Sequence, residues 1–171
     1  IEHTGKVFSR YSSANFEKTI NATYNFGSKK WAALFSSTYT DFDDLRMGSN
    51  GPDDYLRPEF VSNKTYTGTD LIVKNKNNQI QTYSGYEQFN LLGKVRFRPN
   101  ENFDFLVSTH HSETGDIPRY DRLIQYKDDE LAYADWHYGP QKWTLLSGQF
   151  QYEKKHALFN KMILLTGYQN Y

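Results

Sequence analysis

The sequence predicts an all-β fold, an antiparallel transmembrane β-barrel segment of about seven strands, and three observations predict it. Apolar and polar residues alternate with a period of two over long runs. The alternating runs are roughly ten residues each, the length a tilted strand needs to cross a bilayer. Short turns and long loops fall on opposite ends of the strands. The composition agrees: 17% of the 171 residues are aromatic, yet the mean hydropathy is −0.81. Such a chain gives each element one apolar and one polar side.

Taken in order, Lys6 to Ser12 is a short strand with Val7 and Tyr11 on one side, followed by the brief Ser13–Glu17 link. Ile20, Ala22, Tyr24 and Phe26 then alternate strictly with Thr19, Asn21, Thr23 and Asn25. A turn at 27–30 leads to Trp31, Ala33, Phe35 and Tyr39, opposed by Ser36, Thr38 and Thr40. After a long loop near 41–83, Phe89, Leu91, Gly93, Val95 and Phe97 alternate with Gln88, Asn90, Lys94, Arg96 and Arg98, and Leu92 is the exception. The turn at 99–102 has proline to preset φ and asparagine to tolerate φ > 0. Phe103, Phe105 and Val107 alternate with Asp104, Ser108 and His110 before a second long loop near 113–141. A less regular hairpin closes the chain: Leu146, Gly148, Phe150 and Tyr152, a turn near 155–160, and a strand from Met162 to Tyr168. No helical period of useful length occurs.

A soluble β-sandwich also alternates, but its strands average about five or six residues and it seldom needs loops this long. In a barrel, Lys94, Arg96 and Arg98 face a hydrated lumen. Tyr24, Phe26 and Trp31 around the first short turn, with Phe97 and Phe103 around the second, are placed to form an interfacial girdle. Seven strands cannot close by themselves, since bacterial single-chain barrels have an even count of at least eight and open edges do not occur in lipid. The expectation is therefore a piece of a larger barrel, with further strands before Ile1 and after Tyr171.

Several function classes have no support in these residues. The 20 Lys and Arg balance 20 Asp and Glu, which argues against nucleic-acid binding. Absence of cysteine removes disulfides, thiolate metal sites and cysteine nucleophiles. The common nucleotide-binding, esterase and zinc-protease runs are missing, so no enzyme is expected. Asn21-Ala22-Thr23 and Asn63-Lys64-Thr65 match the glycosylation sequon, a pattern short enough to arise by chance.

The runs 10–15 (RYSSAN), 35–48 (FSSTYTDFDDLRMG), 116–123 (DIPRYDRL) and 136–142 (WHYGPQK) resemble the barrel portion of TonB-dependent outer-membrane receptors of the Bacteroidota type. The Pro-Arg-Tyr-Asp-Arg-Leu and Tyr-Gly-Pro-Gln stretches are similar to the haem, haemoglobin and transferrin receptor branch. The resemblance covers essentially the whole chain. It implies a 22-stranded barrel in a Gram-negative outer membrane, closed by a plug domain that is absent from these residues. It implies import of a scarce ligand such as haem, a ferric siderophore or another nutrient, with no resident cofactor. The implied partners are membrane lipid and lipopolysaccharide, the remaining barrel strands, the TonB–ExbB–ExbD complex acting through the missing plug, and a surface lipoprotein or barrel-assembly machinery. The alternative is a soluble β-rich module that binds a glycan or protein through long aromatic loops.

Candidate ligand contacts follow from side-chain chemistry. His110 shares the polar side of its strand and His111 the apolar side; a neutral imidazole can ligate haem iron, although a rim histidine held by hydrogen bonds is the plainer reading. Trp136, His137 and Tyr138 could stack on a planar ligand, or pack on neighbours or lipopolysaccharide headgroups. Arg119, Tyr120 and Arg122 suit haem propionates or a ferric chelate; the competing role is a salt-bridge network, with Asp121, that orders the loop. Asp41, Asp43, Asp44, Asp53 and Asp54 form an acidic loop without the EF-hand order, so no metal site is expected.

Overall fold

The computed structural model describes residues 1–62 and 70–171. Seven long strands form one antiparallel sheet, and each pairs with the next in sequence. They are β1 (Glu2–Ser12), β2 (Glu17–Gly27), β3 (Trp31–Phe42), β4 (Tyr86–Asn100), β5 (Phe103–Thr114), β6 (Lys142–Glu153) and β7 (Lys161–Asn170). The fold is all-β, and among the described residues the sheet does not close on itself: β1 and β7 each lack a partner there on one side. Among the described residues no helix is long and apolar enough to cross a membrane, a criterion that does not bear on strands.

Expected boundaries hold closely, with two departures. β1 begins at Glu2 rather than Lys6, because residues 2–5 have no alternation of their own yet pair with Tyr24–Gly27 of β2. The β4–β5 turn narrows to residues 101–102, and Pro99 lies within β4 where the ladder is irregular between Phe97 and Asn100. A proline is tolerated there because no ladder hydrogen bond is asked of it. At the β2–β3 turn, Ser28 Oγ accepts a hydrogen bond from Trp31 N at 3.0 Å, while Ser28 N donates to Trp31 O at 2.7 Å.

Directly paired residues share a face, so the register sorts the sheet into two. One face carries Ile20, Ala22, Tyr24 and Phe26 of β2 and Trp31, Ala33, Phe35 and Tyr39 of β3. Phe89, Leu91, Val95 and Phe97 of β4, Phe105 and Val107 of β5, and Leu146 and Phe150 of β6 continue it. The other face carries threonine, serine, asparagine, glutamine and the expected cations. Its side chains bond to one another across strands: Asn21 Nδ2 donates to Thr38 Oγ1 (2.8 Å) and Ser36 Oγ (3.1 Å), and Ser108 and Ser147 hydroxyls meet at 2.6 Å. Arg96 forms an ion pair with Asp104. Large apolar side chains also reach this face: Leu34, Leu92, Leu106 and Leu145 on β3 to β6 and, on β7, Ile163 and Leu165 opposite Gln151 and Gln149.

Among the described residues no second layer covers the apolar face. Val7 is 73% exposed, Phe35 51% and Val107 53%, and the only buried apolar side chains among the described residues are Val61 and Leu123, both in the long loops. A sandwich buries this face against another sheet. Here it is open.

Each long loop folds into short ribbons. In the first, Leu45–Arg46 pairs with Ile80–Gln81 and Glu59–Ser62 with Leu71–Lys74. In the second, Ile117–Pro118 pairs with His137–Tyr138, followed by a four-residue helix, Tyr120–Leu123, and a hairpin joining Tyr126–Lys127 to Glu130–Leu131. That hairpin turns on Asp128 and Asp129, both at positive φ (53° and 66°), as a two-residue turn matched to strand twist requires. The acidic side chains tolerate this conformation better than β-branched ones would. The second half of the expected sequon pair, residues 63–65, lies outside the described residues.

Candidate functional site

The two long loops emerge from the same end of the sheet and pack together there. Leu123 is 2% exposed, and Tyr126 Oη donates to Glu59 Oε1 at 3.0 Å, joining the second loop to the first. Arg57 of the first loop is also 2% exposed and stacks its guanidinium over the Tyr120 ring, 5.0 Å from the centroid. Arg57 Nε and Nη1 and the Tyr120 hydroxyl have no hydrogen-bond partner among the described residues. Burial lowers the Arg57 pKa, partly offset by Tyr120, and burial raises that of Tyr120. The charge is held by a cation–π contact rather than by a carboxylate.

Two loop groups were expected as separate candidate contacts, Arg119, Tyr120 and Arg122 in one and Trp136, His137 and Tyr138 in the other; the structure sets Arg119 against Tyr138 and Arg122 against Trp136. Their chemistry is largely spent internally. Arg119 makes a bidentate pair with Asp121, Nε–Oδ1 and Nη2–Oδ2 both at 2.7 Å, and donates through Nη1 to Tyr138 Oη at 2.6 Å. Those bonds raise the Arg119 pKa and lower that of Asp121. Arg119 also lies over the Tyr138 ring at 5.1 Å, and Arg122 over the Trp136 ring at 5.6 Å. The edge of Trp136 meets Tyr133 at 4.6 Å. Backbone pairing places Arg119 N on Trp136 O at 2.7 Å, so the cation-bearing and aromatic stretches are two arms of one ribbon. This arrangement matches the loop-ordering role for Arg119 and Asp121 rather than a free anion clamp.

His137 turns the other way. Adjacent residues of an extended segment point to opposite sides, and His137 enters a cleft of about 440 Å³ between the loops, lined by Asp43, Asp44, Asp116, Asp135 and Tyr83 over an apolar floor that includes Leu123. Its Nδ1 is 3.0 Å from Asp135 Oδ1 and its Nε2 is 3.7 Å from Asp116 Oδ1. The hydrogen bond to Asp135 leads the causes that raise its pKa. Asp44 Oδ1 accepts from the backbone of Ser84 (2.8 Å) and Gly85 (3.2 Å), stapling the root of the first loop. Among the described residues no group of three or more His, Asp or Glu side chains is arranged to hold a metal ion.

His110 belongs to neither the cleft nor the ribbon. It faces the polar side of β5, flanked in register by Leu92 and Leu145, and its ring lies 6.2 Å from Trp143. His111 faces the apolar side, Nδ1 at 2.8 Å from Thr144 Oγ1. Lys94 and Arg96 share the polar face with His110, and Arg98 at the end of β4 donates its backbone N–H to Lys30 O at 2.7 Å.

Comparison with protein-family models, curated proteins and solved structures returns no match. The site is therefore read from its own geometry. Two residues of consequence escaped the sequence reading. Trp143 carries a usable signal, because it shares parity with Gln149 and Gln151 and so stands as an aromatic on the polar side. Arg57 carries none, since its burial is created by a loop some sixty residues away in the chain.

Proposed function

We propose that the chain spans an outer membrane as part of a larger β-barrel receptor, resembling the TonB-dependent kind, that binds a nutrient such as haem, a ferric siderophore or another scarce ligand outside the cell and admits it. In this reading the apolar face meets lipid, the polar face lines the lumen, and the long loops face the exterior.

The observation that carries the reading is the slope of the apolar band across the register. At the long-loop end, Ile20, Tyr39 and Phe89 are mutual neighbours, but the next partners in that row are Glu113 and Lys142, an ion pair at 2.6 Å. On β6 the last large apolar side chain is Leu146, paired with Tyr168, four residues short of Lys142. At the short-turn end the band on β2 stops at Phe26, level with Ala33. Two residues beyond Ala33, Trp31 stands level with Phe97 and Phe105, and two residues beyond Phe105 the band still continues through Phe103, Tyr152 and Met162. Both limits thus move four residues the same way between β2 and β7.

Four residues at roughly 3.3 Å each, over five strand spacings of about 4.8 Å, correspond to a tilt of about 30°. Outer-membrane barrels tilt their strands by roughly 35–45°, because closure requires a stagger of register. The eight residue steps from Trp31 to Tyr39, projected through that tilt, give a band about 23 Å tall, against roughly 25 Å for barrel proteins. Its lower limit is edged by aromatic pairs: Trp31 stacked on Phe97 with ring centroids 4.2 Å apart, and Phe105–Phe150 and Phe103–Tyr152 in tilted contact at 5.0 and 4.9 Å. Such a row suits the headgroup level.

The test is topological. Cells carrying the full-length protein are fractionated, and intact cells are treated with protease. The protein should resist carbonate extraction from membranes and be cut within 43–85 or 115–141, while the turns at 28–30 and 154–160 stay protected until the cells are opened. Recovery in the soluble fraction would replace this reading with the soluble binding module.

A further inference from the structure

We infer that the polar face carries a subsite for a neutral, polyhydroxylated ring, a sugar unit, at His110 and Trp143. A pocket of about 240 Å³ opens there between β3 and β6. Two register rows build it. Thr38, Asn90, Ser112 and Trp143 are consecutive cross-strand neighbours, and Ser36, Leu92 and His110 form the row beside them. The indole of Trp143 stands beside the imidazole at a 51° interplanar angle, an aromatic corner above a floor of hydroxyl and amide groups.

The hydrogen-bonding state of the floor fits such a ring. Thr38 Oγ1 and Ser36 Oγ accept from Asn21 Nδ2, and Gln88 Nε2 donates to Asn90 Oδ1 and Ser112 Oγ, both at 3.3 Å. This leaves the Thr38 and Ser112 hydroxyl protons, the Asn90 amide protons and both His110 nitrogens without partners among the described residues. Sugar hydroxyls donate and accept, and one face of the ring is made of C–H groups that pack on an aromatic side chain. Neither row contains a carboxylate, guanidinium or ammonium group; Lys94 stands one row further toward the short turns. An anionic porphyrin or ferric chelate would meet no counter-charge here, and the volume lies below the roughly 300–1,000 Å³ of pockets that enclose drug-sized ligands. A single ring fits.

The inference names the ligand class for the proposed receptor and rests on that reading only for the transport role. The experiment is saturation-transfer NMR on the full-length protein, in amine-oxide micelles so that no sugar detergent competes. An equimolar mixture of glucose, galactose, mannose and xylose is the probe, with haemin in a separate sample. Transfer to the ring protons of at least one sugar is expected, reduced five-fold or more by Trp143→Ala and by His110→Ala and unchanged by Lys127→Gln on the exposed loop hairpin. Ser112→Leu, which fills the floor beside Trp143 while leaving both aromatic side chains in the chain, should act alike and covers the case in which Trp143→Ala does not fold. No transfer to any sugar from folded wild-type protein would overturn the inference, as would transfer that survives both Trp143→Ala and Ser112→Leu. A protein that is soluble without detergent yet shows the Trp143-dependent transfer keeps the subsite and loses the barrel. One that inserts into membranes but gives no transfer keeps the barrel and loses the subsite.

Discussion

The two faces of the same sheet solve opposite problems with the same backbone. On the polar face, cross-strand neighbours satisfy one another: Asn21 with Ser36 and Thr38, Ser108 with Ser147, Arg96 with Asp104. On the apolar face, neighbours touch ring to ring or methyl to methyl, and nothing among the described residues shields them. Burying apolar area is worth about 25 cal/mol per Å², so under the proposed membrane reading lipid takes the place of a second layer on the open face. The difference teaches that the polar side is satisfied within the sheet, whereas the apolar side, among the described residues, is not.

The largest effect should come from placing charge on the apolar face. Phe35→Arg, near mid-band, is expected to cost roughly 2–4 kcal/mol of folding into bilayers. Thr38→Arg, on the same strand but the other face, should cost less than about 1 kcal/mol. Urea titration of both variants in lipid vesicles measures the contrast; equal losses would mean that the faces are wrongly assigned.

Next comes the packed junction of the loops. Leu123→Ala removes a fully buried side chain and should destabilise the loop assembly by about 2–4 kcal/mol. Hydrogen exchange should quicken across 115–141 and leave the sheet amides as they were, because the sheet makes its ladder without the loops. Quickening that spreads into β5 and β6 would show one cooperative unit instead of two.

A smaller effect depends on pH. The His137 pKa is raised by Asp135 first, with Asp116 adding to it, so protonation stabilises the folded loop. That contribution is complete below the unfolded value of about 6.5 and is lost as pH rises through the higher folded value. His137→Gln should therefore loosen the loop at pH 6 and make no difference well above the wild-type folded pKa, as followed by loop amide exchange. A deficit that persists unchanged at high pH would assign His137 a packing role only.

The smallest is the exposed pair. Asp121→Asn should cost little, because the pair is exposed and screened, and its effect should fade in acid, as the lowered Asp121 carboxyl takes up its proton in the wild type. A thermal melt at pH 7 and again near pH 3 compares the two states.

Much of this sheet was legible because a period of two leaves a trace in every residue. The parity of Ile20 to Phe26, of Trp31 to Tyr39 and of Phe89 to Phe97 assigned three strands to their faces before any pairing was known, and His110 and His111 fell on the expected sides. Residues 2–5 and the polar-face Ile163 and Leu165 were not legible, because their conformation is imposed by a neighbouring strand rather than by their own pattern. In the loops, residue types singled out Arg119, Trp136 and Tyr138 but not their contact with one another. Which partner would consume each charge depended on pairing between segments far apart in sequence, as did the burial of Arg57.

The inclined apolar band is the central claim, and one pair of positions tests it. Phe89 and Glu113 are direct cross-strand partners on the same face, and the chain contains no native cysteine to interfere with labelling. Spin labels at Phe89→Cys and Glu113→Cys in vesicle-reconstituted, full-length protein are compared for collision with oxygen, which concentrates in lipid, and with a water-soluble nickel chelate. A tilted, membrane-spanning sheet predicts oxygen-dominated collision at position 89 and nickel-dominated collision at position 113. Nickel-dominated collision at both positions would contradict it.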